Sequence, residues 1–105
     1  MNEIIQAMKE RRSCRKYQDT MIPKEDLEEI IEAGLYAASG MGKQSPIIVA
    51  VTNKEVRDEL SKMNAAVMGS ENDPFYGAPV VLIVLADKSV RTEVYDGSLA
   101  VSYTH

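Results

Sequence analysis

Between Glu10 and Tyr17 the chain reads E-R-R-S-C-R-K-Y, which places Arg11, Arg12, Arg15 and Lys16 around one hydroxyl, that of Ser13. No other stretch is so biased toward one kind of chemistry. Guanidinium forks beside a hydroxyl suit a phosphate, because arginine donates bidentately to phosphate oxygens and keeps its charge at any working pH. The plainer alternative is the solvated basic end of a helix, where positive charge complements the macrodipole. Cys14, set among the arginines, reads as filler between functional neighbours, and Tyr17 and Tyr36 read as packing residues.

A second stretch, Ser39 to Pro46, reads S-G-M-G-K-Q-S-P. Two glycines two apart, with small and polar neighbours, let a backbone approach a ligand closely. The fragment G-M-G-K is not a phosphate loop of the G-x-x-x-x-G-K-S/T kind. Its spacing is wrong, Gln44 follows the lysine, and a helix precedes it instead of a strand. Taken alone, it is a helix-to-strand connection.

The elements that must position these stretches follow from periodicity. Asn2 can cap a helix with Ile4, Ile5 and Met8 on one face, running out near Arg11 or Arg12. Ser13 to Met21 has no period and reads as loop. Pro23 suits the first position of a second helix, with Glu25 and Asp26 at its positive end and Leu27, Ile30, Ile31 and Leu35 as its stripe. Ile47 to Thr52 and Val80 to Ala86 are apolar on both faces and predict two fully buried strands. Between them Asn53 caps a third helix, whose expected inward stripe is Val56, Leu60, Met63 and Val67, its methionines serving as core filler. Gly69 to Pro79 is rich in turn residues, and another helix begins near Thr92 with Val94, Leu99 and Val101.

These elements predict an α+β fold of layered α/β type, in one domain spanning residues 1–105. Strands apolar on both faces expect neighbours that a chain of 105 residues barely supplies. More protein is therefore expected: further sequence, a second subunit, or both. A net charge of −4 argues against nucleic-acid binding and makes the basic cluster local, fit for a small anion. One cysteine and one histidine, His105 at the very end, leave no disulfide framework and no metal site to expect. The N-terminus is not a signal peptide and no apolar run is long enough for a bilayer, so the expected setting is cytoplasmic, with no membrane partner.

Three segments carry a resemblance: R-R-S-C-R-K-Y at 11–17, I-P-K-E-D-L-E-E-I-I-E-A-G-L-Y-A-A-S-G-M-G-K-Q-S-P-I-I-V-A-V-T-N at 22–53, and D-P-F-Y-G-A-P-V-V-L-I-V-L-A at 73–86. In order and spacing they resemble the N-terminal half of the nitroreductase family, FMN-dependent NAD(P)H oxidoreductases. The resemblance implies a mixed sheet flanked by helices, here truncated to about its N-terminal half. It implies FMN as cofactor, NAD(P)H as co-substrate, a homodimer with flavin at the interface, and a small-molecule electron acceptor of the nitro or quinone type. It places Arg11, Arg12, Ser13 and Arg15 on the FMN phosphate, ribityl chain and flavin edge. It places Ala38, Ser39, Gly40, Met41 and Gly42, with Gln44, against the flavin of the other subunit, and Asn64 near the isoalloxazine, with Asn72 as a second candidate. No catalytic side chain is implied, because the cofactor carries the hydride chemistry.

There are departures from the family pattern. Gly42 stands where asparagine is common, and Ile47 follows Pro46 where an aromatic is usual. D-G-S-L-A-V-S at 96–102 resembles the start of a long interface helix, after which Tyr103, Thr104 and His105 diverge. Two further functions stay open beside the oxidoreductase: a non-catalytic truncated remnant that dimerises and binds flavin weakly or not at all, and a small anion- or nucleotide-binding module.

Overall fold

A computed structural model describes residues 2–105 and orders them as α1 (Glu3–Glu10), α2 (Lys24–Leu35), a short 3-10 turn (Gly40–Gly42), β1 (Ile47–Val51), α3 (Lys54–Met68), β2 (Val81–Leu85) and α4 (Glu93–Tyr103). Local chemistry sets most of these boundaries. The Asn2 side chain accepts the Ile5 N–H at 2.9 Å, and the Asn53 side chain accepts the Val56 N–H at 3.1 Å. Each cap satisfies a donor that the first helical turn leaves orphaned. Pro23 sits one position earlier than expected: it caps α2 with extended backbone, and its carbonyl accepts the Leu27 N–H at 3.1 Å. At the far end of α3, Gly69 turns left-handed at φ 70° and the Ser70 N–H closes on the Ala65 carbonyl at 2.9 Å. That is the glycine-terminated helix end in which an L side chain would be strained.

β1 and β2 pair antiparallel, with Ile47 opposite Leu85, Val49 opposite Ile83 and Val51 opposite Val81, and α3 is the connection between them. Helices α2 and α4 pack on each other, α2 also against β1 and α4 against β2, so one helical layer covers the small sheet. Close approach within that layer depends on Gly34. A Cβ there would lie 2.7 Å from Thr104 Cγ2 and 2.8 Å from Ile48 Cδ1. Among the described residues no helix is long and apolar enough to cross a membrane.

Two expectations from periodicity are corrected by burial. The strands are not fully buried: of β1 only Val51 is, while Ile47, Val49 and Leu85 are exposed. Two strands under a single helical layer leave backbone and side chains open on the side where further strands or a second layer would lie. The predicted stripe of α3 faces mostly outward: Val56, Met63 and Val67 are exposed, the last at 89%, and only Leu60 is half-buried. The inward face of α3 is Arg57, Ser61 and Ala65, spaced four apart, so its methionines are not core filler. Helix α1 buries none of its residues, and Ile4, Ile5 and Met8 form an open apolar face. Tyr17 and Tyr36 are likewise exposed.

Candidate functional site

The basic segment after α1 is exposed throughout residues 11–17 and has no regular structure. Its polar contacts are local. Arg12 Nη1 donates to the carbonyls of Lys9 and Arg11, each at 2.8 Å, so this guanidinium closes the C-terminal end of α1. The helix-end alternative raised from the sequence thus describes Arg12 well. The Cys14 thiol donates to the Lys16 carbonyl at 3.1 Å, and the Tyr17 hydroxyl to the Cys14 carbonyl at 2.7 Å. These two bonds curl the segment into a fixed arc. The side chains of Arg11, Ser13 and Arg15 have no hydrogen-bond or carboxylate partner among the described residues.

The loop after α2 has a stronger local signature. Met41, Gly42 and Gln44 all take positive φ, at 55°, 66° and 48°. Two of these are not glycine, and left-handed backbone at such residues holds only where surrounding bonds enforce it. Those bonds are present. The Gln44 N–H donates to Ser39 Oγ at 2.8 Å, the Gly42 N–H to the Ser39 carbonyl at 3.2 Å, and the Lys43 N–H to the Gly40 carbonyl at 3.2 Å. At Gly42 the left-handed φ explains why glycine stands in a place where asparagine is the other residue that tolerates it. A Cβ at that position would meet nothing within 4 Å.

This loop is tied to α4 across 56 residues of sequence: the Gly40 N–H donates to Asp96 Oδ1 at 2.9 Å. The other carboxylate oxygen accepts from Thr92 Oγ1 at 2.8 Å. Asp96 is only 2% exposed. A small cavity between loop and helix is bounded by Ala38, Ser39, Gln44 and Asp96, and Ser45 Oγ nearby is buried with no partner. Neither Thr92 nor Asp96 stood out in the sequence. The available signal was a carboxylate four residues after a threonine at the start of a helix.

Asn64 lies elsewhere, on an exposed part of α3, where its Nδ2 donates to its own helix at the Leu60 carbonyl, 3.1 Å away. The inward face of the same helix builds a different cluster. Arg57 donates through Nη2 to Asp73 Oδ2 at 2.5 Å and through Nε to the Ala78 carbonyl at 2.8 Å, and its guanidinium lies 5.5 Å from the Phe75 ring centre. Asp73 also accepts from Ser61 Oγ at 2.7 Å and from the Phe75 and Gly77 N–H groups at 3.0 and 2.8 Å. Burial works against ionisation of Asp73, but the bonds from Arg57, Ser61 and the two N–H groups outweigh it and hold the carboxyl well below the usual range. The hydrogen bond to Asp73 correspondingly raises the Arg57 pKa. This network pins the D-P-F-Y-G-A-P loop to α3.

The structure therefore brings Ala38, Ser39, Gly40, Met41, Gly42 and Gln44 together in one shaped loop, and Arg11, Arg12, Ser13 and Arg15 together in one arc. Among the described residues no hydrogen bond or ion pair joins the two groups, or joins Asn64 to either.

Comparison with known proteins follows the same segments. A sequence model of the nitroreductase family matches residues 8–101. An FMN reductase [NAD(P)H] of Bacillus subtilis is 33% identical over 88 residues, covering 83% of this chain and 33% of that protein. The crystal structure of a nitroreductase with bound FMN from Bacteroides fragilis superposes with a TM-score of 0.85 at 30% identity, over 99% of this chain and 63% of that one. A nitroreductase with bound FMN from Desulfitobacterium hafniense gives a TM-score of 0.86 at 29% identity, again over 99% and 63%. The chain thus spans between about a third and two thirds of the length of these relatives.

Proposed function

The chain belongs to the nitroreductase family, and from that premise we propose that the protein is an FMN-dependent oxidoreductase taking hydride from NAD(P)H and delivering it through the flavin to nitro- or quinone-type acceptors. One observation carries the proposal: Arg11, Ser13 and Arg15 present two guanidinium groups and a hydroxyl, exposed and without partners among the described residues, along an arc fixed by Tyr17 and Cys14. That donor set fits the phosphate and ribityl end of FMN, since planar guanidinium forks match phosphate oxygens. The FMN bound in the two solved relatives supports it further. The chemistry that FMN supplies when bound is hydride transfer.

The chain's own residues have the task of holding and orienting. Arg11 and Arg15 would grip the phosphate, Ser13 the ribityl oxygens, and Arg12 would keep α1 terminated at Glu10 so that the arc starts where it does. The loop of Ala38, Ser39, Gly40, Met41, Gly42 and Gln44 would lie against a ring system, with Gly40 and Gly42, which carry no Cβ, letting the backbone come close. Asn64 would offer an amide to the flavin edge. Arc and loop share no bond among the described residues, which suits a homodimer in which the loop of one subunit meets the flavin held by the arc of the other. The open faces of α1 and of the sheet suit the same arrangement.

Titration of the purified protein with FMN, followed by flavin fluorescence, tests this. The expected result is saturable binding that weakens at least ~10-fold in the double variant Arg11→Ala/Arg15→Ala, with far-ultraviolet circular dichroism unchanged. Equal affinity in the two proteins would remove the arc from the site.

A further inference from the structure

Among the described residues Asp96 is the least exposed ionisable one, and it has no basic partner there. A carboxylate at 2% exposure is costly unless its oxygens are occupied. Both are, by one donor from each of two elements: the Gly40 N–H of the glycine loop and the Thr92 hydroxyl at the start of α4. Its place in the first turn of α4 adds the favourable end of that helix's dipole. The packing around this contact is tight. A Cβ at Gly40 would stand 2.1 Å from Thr92 Oγ1 and 2.9 Å from Thr92 Cβ, so only glycine lets the loop reach the carboxylate.

We infer that Asp96 is the positioning residue of the flavin-facing loop. Its carboxylate anchors the Gly40 amide and so sets the left-handed turn at Met41, Gly42 and Gln44 that forms the site's wall. The inference rests on the FMN reading of the loop given above. It also links the loop to α4 mechanically, so that a shift of the helix start at Thr92 moves the wall of the site. Asparagine at 96 can keep the arrangement, with its carbonyl oxygen accepting from Gly40 and its amide donating to a rotated Thr92 hydroxyl. Alanine cannot, and it leaves the half-buried Gly40 N–H without an acceptor.

Two readouts on Asp96→Ala, Asp96→Asn and Gly40→Ala test it. In amide hydrogen exchange without FMN, the Gly40 amide of Asp96→Ala exchanges at least ~10-fold faster than in the unaltered protein, while amides in the middle of α3 keep their rates. Asp96→Asn restores slow exchange. In FMN titration, Asp96→Ala and Gly40→Ala weaken binding at least ~10-fold, and Asp96→Asn stays within about threefold of the unaltered protein. Slow Gly40 exchange in Asp96→Ala would overturn the anchoring role. Faster exchange with unchanged FMN affinity would overturn the link between that anchor and the site. Failure of the unaltered protein to bind FMN would instead overturn the FMN reading, with the exchange arm still reporting on the anchor.

Discussion

Arg57 and the arginines at 11 and 15 carry the same guanidinium and are treated in opposite ways. Arg57 is buried on α3, donates to Asp73 and to the Ala78 carbonyl, and lies against the Phe75 ring. Arg11 and Arg15 stand exposed on irregular backbone and make no ion pair among the described residues. The first charge is consumed by the fold, since it closes a loop and its partner cannot be removed without leaving a charge stranded. The second pair adds nothing to packing that the structure records. A chain of net charge −4 has no shortage of carboxylates to offer them. Arginines left free beside a hydroxyl are what a phosphate site needs before the phosphate arrives.

The sharpest way to break this contrast is to make the same substitution at both places. Arg57→Ala is expected to lower stability by about 3 kcal/mol, the low end for breaking a buried pair because the Asp73 side chain is still 31% exposed. Urea unfolding measures it. Should that variant fail to fold, Arg57→Lys keeps the charge but loses the fork, and a smaller loss is expected from the missing bond to Ala78. A change below about 0.5 kcal/mol for Arg57→Ala would put it in the class of ordinary surface residues and dissolve the contrast.

Acid provides the next test. The folded-state pKa of Asp73 lies below its unfolded value, near 3.9 for a free aspartate. Its contribution is therefore fully present above about pH 4 and is lost as the pH falls from there toward the folded value. Asp58 and Asp87 are shifted the same way, Asp58 chiefly by a hydrogen bond from Lys54 and Asp87 chiefly by the Ser89 hydroxyl, so part of the acid loss belongs to them. Thermal melts from pH 7 downward should show stability falling below about pH 4, with a shallower fall in Asp73→Asn. Parallel curves for the two proteins would mean that Asp73 does not drive the acid response. The smallest effect is expected at the other arginines: Arg11→Ala/Arg15→Ala should change stability by less than about 0.5 kcal/mol.

The same division between local and distant causes decides what could be read from the sequence. Asn2 and Asn53 marked helix starts because a cap is made by a side chain and an amide three residues apart, and Pro23 marked one because its fixed φ suits the entry to a helix. The two β-branched runs marked strands for a similarly local reason. The burial of α3 could not be read this way. Its periodic valines and methionines promised one face, yet Asp73, sixteen residues beyond Arg57, pulls the opposite face inward. The glycine loop was legible as a loop from S-G-M-G-K-Q-S-P, but its anchor was not, because Asp96 lies 56 residues from Gly40. The arc at 11–17 was legible as chemistry since its residues are neighbours in sequence. That Arg12 serves the helix end while Arg11 and Arg15 stay free is a matter of geometry that composition does not record.

The central claim is that the free arginines read a phosphate, and comparing FMN with riboflavin tests it most directly, because the two ligands differ only in that group. Titrated in parallel, the protein should bind FMN at least ~10-fold more tightly than riboflavin, and the gap should close in Arg11→Ala/Arg15→Ala. Equal affinity for both ligands, or a gap that survives the double substitution, would contradict the assignment.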